Sequence, residues 1–114
     1  MNNLTLAVLL FLIGQILIWF QTNGQFKWEW FSNNILLLSV LGGTIISYTF
    51  ILGTKYAVTH FDGLLWPGRF LGFALGISSF AILSYIFLGE GITWKTATSL
   101  TLSACIISIQ IFWK

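Results

Sequence analysis

The sequence predicts an all-α integral membrane protein, a four-helix antiparallel bundle with short loops, and two observations carry that prediction. Met1 to Phe26, Asn33 to Thr54, Phe70 to Gly89 and Thr96 to Trp113 contain no Asp, Glu, Lys, Arg or His. Each stretch can cross a bilayer, because a hydrocarbon core of roughly 30 Å takes about 20 apolar helical residues at about 1.5 Å each. Composition agrees: 57% of the 114 residues are hydrophobic and 7% are charged, against roughly 25% charged in a soluble domain. Too little chain remains outside the spans for a second domain. Residues 1–114 therefore read as one four-span unit with helices at about 4–20, 34–53, 64–88 and 94–113.

The first helix, about Leu4 to Phe20, is interrupted by Gly14 and Gln15 and ends in Trp19 and Phe20, where an aromatic belt belongs. It lacks the basic start and small-residue cleavage site of a secretory signal, so it is read as a retained span. The connection Gln21 to Ser32 has a turn at Asn23-Gly24 and interfacial aromatics at Trp28, Trp30 and Phe31. The second helix, about Asn34 to Gly53, carries Ser39, Gly43 and Ser47 at four-residue intervals. The third, about Leu64 to Leu88, carries Gly68, Gly72 and Gly76, and the fourth, about Trp94 to Trp113, places Thr96, Ser99 and Ser103 on one side. Small-residue stripes of this kind let helices approach closely in lipid, where no hydrophobic drive brings them together. The links Thr54 to Asp62 and Gly89 to Thr93 are short enough to force antiparallel neighbours. Both termini then share a side with Lys55, Arg69 and Lys114, facing Lys27 and Lys95 across the membrane, an excess of one cation that favours cytoplasmic termini.

Charge and motif content exclude several classes. The net charge of +2 is spread over the loops with no Lys/Arg cluster, so nucleic acid is not a partner. Cys105 is the one cysteine, which leaves no internal disulfide and a packing role. No catalytic triad, metal-ligand cluster or phosphate-cradling loop is present, so no enzyme, cofactor or metal is expected. The lipid bilayer is the expected partner. A chain this small cannot enclose a wide pathway by itself, so transport would require a homo-oligomer, in the simplest case a dimer, or a hetero-oligomer with another membrane protein.

Four side chains are candidates for substrate binding. Arg69, in Trp66-Pro67-Gly68-Arg69-Phe70, either lies inside the membrane or, if the helix begins at Pro67, snorkels to headgroup depth. In the second case a cation in the first helical turn opposes the macrodipole and calls for an anion. Gln15 is a mid-span amide that serves as an interhelical hydrogen-bonding group or a ligand contact. Tyr48 and Trp66, with Tyr85, can wall an aromatic pocket or belong to the packing and the belt. His60 and Asp62 read as a solvated loop and cap, and Glu90 as a loop partner of Lys95.

The layout resembles the small multidrug resistance family and its relatives in the drug/metabolite transporter superfamily, including the four-helix lipid-linked aminosugar flippase subunits. The residues that carry the resemblance are Gly14-Gln15, Ile46-Ser47-Tyr48, Lys55-Tyr56-Ala57, Phe61-Asp62-Gly63, Trp66 with Gly68 and Gly72, and above all Phe87-Leu88-Gly89-Glu90-Gly91-Ile92-Thr93. The resemblance implies a transporter of a bacterial-type inner or plasma membrane. The family's drug exporters use a first-helix glutamate, whereas this chain has no acid before Glu29. A neutral amide at Gln15 cannot exchange protons in that range, and Arg69 suits an anion better than a cationic drug.

The leading expectation is a drug/metabolite-transporter-like protein that moves or flips a polar or anionic small molecule or lipid-linked headgroup. Arg69 would anchor it electrostatically, Gln15 by hydrogen bonding, with Tyr48 and Trp66 as walls. The alternatives are a non-transporting accessory or assembly subunit, and a multidrug exporter whose proton site has moved to Asp62 or Glu90.

Overall fold

The computed structural model describes residues 2–113; Met1 and Lys114, the latter one of the cations counted on the terminal side, lie outside the described residues. The described chain is helical throughout its regular structure. It consists of α1 (Asn3–Asn23), a 3-10 turn (Gly24–Phe26), a short α2 (Glu29–Asn33), α3 (Ile35–His60), α4 (Trp66–Leu88) and α5 (Trp94–Phe112). The four longer helices are long and apolar enough to span a membrane, and the chain is a multi-pass four-helix bundle of 47 × 36 × 21 Å.

Helix ends follow local chemistry. Asn2 caps α1 by accepting from the Thr5 amide at 2.8 Å, and Thr93 caps α5 by accepting from the Thr96 amide at 3.2 Å. Pro67 in the first turn of α4 has no N–H to leave unsatisfied there. Gly89 ends α4 at φ 69°, with the Glu90 amide donating to the Ser84 carbonyl at 3.2 Å, a hydrogen-bonded stop that favours glycine.

The second span departs from expectation. It runs to His60 instead of ending near Gly53, so Thr54 to His60, expected in a loop, are helical. Lys55 ends the charge-free stretch but not the helix, since nothing in Thr54-Lys55-Tyr56-Ala57-Val58-Thr59 breaks one. The chain stops at Asp62 (φ 57°) and Gly63 (φ 88°), where the Gly63 amide donates to the Val58 carbonyl at 2.8 Å. A second irregularity is the π segment Leu38–Gly42 in α3. There the Gln21 Nε2 of α1 donates to the Leu38 carbonyl at 3.1 Å. A Cβ on Gly42 would lie 3.3 Å from that Nε2, so the glycine makes room for the amide. An inserted side chain of this kind is a recognised cause of local unwinding.

α1 is the axis of the bundle. It packs against both α3 and α4, while α5 packs on α4 and buries none of its residues. Phe11 and Gly14 of α1 meet Gly53 and Phe50 of α3 in reverse order, so these helices are antiparallel. Phe11, Gln15 and Trp19 meet Gly72, Gly76 and Ser84 of α4 in ascending order, so α1 and α4 are parallel. Ala7, Phe11 and Ala57 form the buried core, flanked by Phe50, Tyr56, Leu71 and Leu75. Close approach depends on missing side chains: a Cβ on Gly53 would lie 2.9 Å from the Phe11 ring and one on Gly68 3.1 Å from the Ala57 Cβ. The glycine stripe of α4 is thus a packing surface, as is Gly43, beside Gln21.

Gly53→Ala should lower stability by about 1–3 kcal/mol through overpacking on Phe11, whereas Gly91→Ala, with open space around it, should change it by less than about 0.5 kcal/mol. Thermal unfolding of the detergent-solubilised protein checks the contrast, and equal midpoints would show that the α1–α3 contact is not tight.

Candidate ligand groove

Because α3 and α4 both lean on α1 and share little surface with each other, they leave a groove between them with α1 as its floor. Its volume is about 770 Å³, within the range of roughly 300–1,000 Å³ typical of small-molecule sites. The walls are mainly apolar: Phe11 from α1, Phe50 and Val58 from α3, and Leu65 and Phe73 around and within α4. Three polar side chains border it, Gln15 on α1, Thr54 on α3 and Arg69 on α4, together with the Trp66 ring.

Each polar group is placed by its helix. Arg69 is exposed in the first turn of α4, a turn that contains no acidic residue, so its charge faces the positive end of the helix dipole. Thr54 lies in the extension of α3 past Gly53. Thr49 and Thr59 donate their hydroxyls to carbonyls one turn back at 2.9 Å, and Thr54 makes no such bond. Gln15 is half-buried about 18 Å along α1 from Asn3, and its Nε2 donates to the Gly72 carbonyl at 3.4 Å.

The other end of the α1–α4 seam is closed. Trp19 Nε1 donates to Ser84 Oγ at 3.0 Å, and these side chains are 2% and 4% exposed. Around them Trp19 packs on Phe20 and Phe87 at ring-centroid distances of 5.2 and 5.7 Å, and Trp28 covers Phe87 at 5.5 Å. Arg69 and Trp66, in the first turn of α4 at the opposite end of that seam, border the groove.

Of the four expected binding residues, the groove brings together Gln15, Trp66 and Arg69 and leaves out Tyr48. Tyr48 is two residues from Phe50, about 200° round the helix, and is exposed on another face, as is Tyr85 on α4. Phe50 and Thr54 supply the α3 wall instead. Phe50 lies within the span that the charge-free stretch predicts, whereas Thr54 falls just beyond its expected end at Gly53. Ser39 and Ser47 are exposed, Ser39 within the π segment. Ser99 and Ser103 border a smaller cleft of about 200 Å³ between α4 and α5 with Glu90, Thr96 and Ser84. Asp62 and Glu90 do not line the larger groove. Among the described residues no group of His, Cys, Asp and Glu is placed to hold a metal ion. No family model matches the chain, and no curated protein or solved structure matches it.

In a Cys105→Ser background, Thr54→Cys should react with a membrane-impermeant maleimide in nanodiscs, whereas a cysteine at the buried Ser79 should not. Protection at both positions would mean that water does not enter the groove. Trp19→Phe should cost about 0.6–2 kcal/mol by removing the hydrogen bond to Ser84 while keeping a ring in the seal. A double-mutant cycle with Ser84→Ala measures that coupling, and additive effects would remove the bond from the account.

Proposed function

We propose that this chain is a small drug/metabolite-transporter-like membrane protein that binds, and moves or flips, a polar or anionic small molecule or lipid-linked headgroup. The single observation that carries the reading is the groove itself. A cation, a hydroxyl and an amide that are distant in sequence border one apolar cleft between helices. Arg69 supplies the electrostatic attraction, and its position at the positive end of α4 without an acidic neighbour in that turn makes an anion the natural counter-charge. Gln15 and Thr54 supply hydrogen bonds, and Trp66 and Phe73 supply an apolar wall.

An accessory or assembly subunit is the second reading, and α5 favours it. This helix touches α4 and buries no side chain in the monomer, so a lipid-exposed hydroxyl-bearing face is left for another membrane helix. The same face serves a working oligomer in the first reading. A proton-coupled exporter using Asp62 or Glu90 has less support, because neither carboxylate borders the large groove.

The two main readings separate on Arg69. With the protein in nanodiscs, n-propyl phosphate should bind with a change in Trp fluorescence, and Arg69→Ala should weaken it about 10- to 100-fold, the worth of a charge-assisted hydrogen bond. The helical circular dichroism and thermal midpoint should stay the same, since Arg69 is exposed. Unchanged affinity in the variant would eliminate the anion-binding reading.

A further inference from the structure

The orientation of the Gln15 amide says more about the ligand than its presence does. A Cβ on Gly76 would lie 2.9 Å from each of Gln15 Cδ, Nε2 and Oε1. The amide therefore lies flat across the glycine, equidistant from it with all three atoms. Its edge faces the Gly72 carbonyl at 3.4 Å, and a carbonyl accepts, so the NH2 must occupy that edge. Oε1 is then turned the other way. It has no protein partner, yet no side-chain oxygen among the described residues is both buried and unpaired. Oε1 is accordingly open, and the space that Gln15 borders is the groove.

We propose that Gly76 is a positioning residue that fixes Gln15 Oε1 as a hydrogen-bond acceptor in the groove, so that the site selects an anion that also carries a hydrogen-bond donor. This rests on the anion-binding reading of Arg69 and adds a second requirement to it. The ligand places its phosphate or carboxylate at Arg69 and a hydroxyl or ammonium group against Gln15. An alkyl phosphate of the same size leaves Oε1 desolvated and unpaired, which disfavours it. A phosphorylated polyol and a lipid headgroup of the same kind share this chemistry. The glycine acts on selectivity more than on stability, because what an added methyl would meet is the flexible end of Gln15 and no backbone.

The test uses the full chain in nanodiscs with matched probes. Glycerol 3-phosphate and n-propyl phosphate differ in hydroxyl groups, and the phosphodiesters dodecyl 2,3-dihydroxypropyl phosphate and dodecyl propyl phosphate repeat the comparison for a membrane-borne ligand. In whichever pair binds, the hydroxylated member should bind about fivefold more tightly, the worth of one hydrogen bond, and Gln15→Leu and Gly76→Ala should each bring that ratio to within about twofold. Gly76→Ala should do so with its thermal midpoint retained; if it does not fold, Gln15→Leu decides. Equal affinities within each pair in the unaltered protein, or a ratio that survives in the folded variants, would overturn the proposal while leaving the role of Arg69 intact. Absence of binding by all four probes, or binding indifferent to Arg69→Ala, would instead remove the anion-binding reading beneath it.

Discussion

Phe11 and Gln15, one turn apart on α1, lie against positions that have no side chain on both neighbouring helices. Phe11 sits over Gly53 of α3 and near Gly72 of α4, and Gln15 lies on Gly76. In lipid the tails are as apolar as any leucine, so helix association depends on close packing and on hydrogen bonds. These contacts supply the packing. They also make α1 the helix on which the others depend, since α3 and α4 reach each other closely at Ala57 and Gly68 but otherwise share little surface. The groove is a direct result of that geometry: two helices drawn onto a third at separate faces must diverge from each other.

Polar side chains inside the bundle follow the same constraint. Without water, an amide or indole N–H in a span needs a partner on another helix, and α1 provides three such donors. Gln15 reaches the Gly72 carbonyl, Gln21 the Leu38 carbonyl at the π segment, and Trp19 the Ser84 hydroxyl. Most of the span hydroxyls satisfy themselves by donating to a carbonyl one turn back, as Ser79 and Ser103 do. Thr54 is an exception, and it borders the groove. A hydroxyl and an amide oxygen left without protein partners, in a groove that Arg69 also borders, give the site unfilled hydrogen-bonding capacity among mainly apolar walls.

The two ends of the α1–α4 seam are built differently. At one end Trp19, Phe20, Trp28 and Phe87 interlock around a buried hydrogen bond. At the other, Arg69 in the first turn of α4 borders the groove. α5 stands apart from the groove: it packs on α4 and buries none of its residues.

Charge distribution alone determined the membrane class, the number of spans and their alternation, because a charge in hydrocarbon costs several times what a missing hydrophobe does. The glycine period on α4 announced a packing face for the same local reason. Charge could not locate the end of α3: Lys55 marks the edge of the apolar region, while helix continues until Asp62 and Gly63 turn left-handed. Nor could sequence tell which face of each helix meets which neighbour, since Tyr48 and Phe50 are equally aromatic and lie on different faces. The orientation of the Gln15 amide was beyond it for a similar reason, depending on a carbonyl 57 residues away in the chain. Tertiary structure decided these matters because they rest on the pairing of α1 with α3 and α4, a long-range choice made by which side chains are absent as much as by which are present.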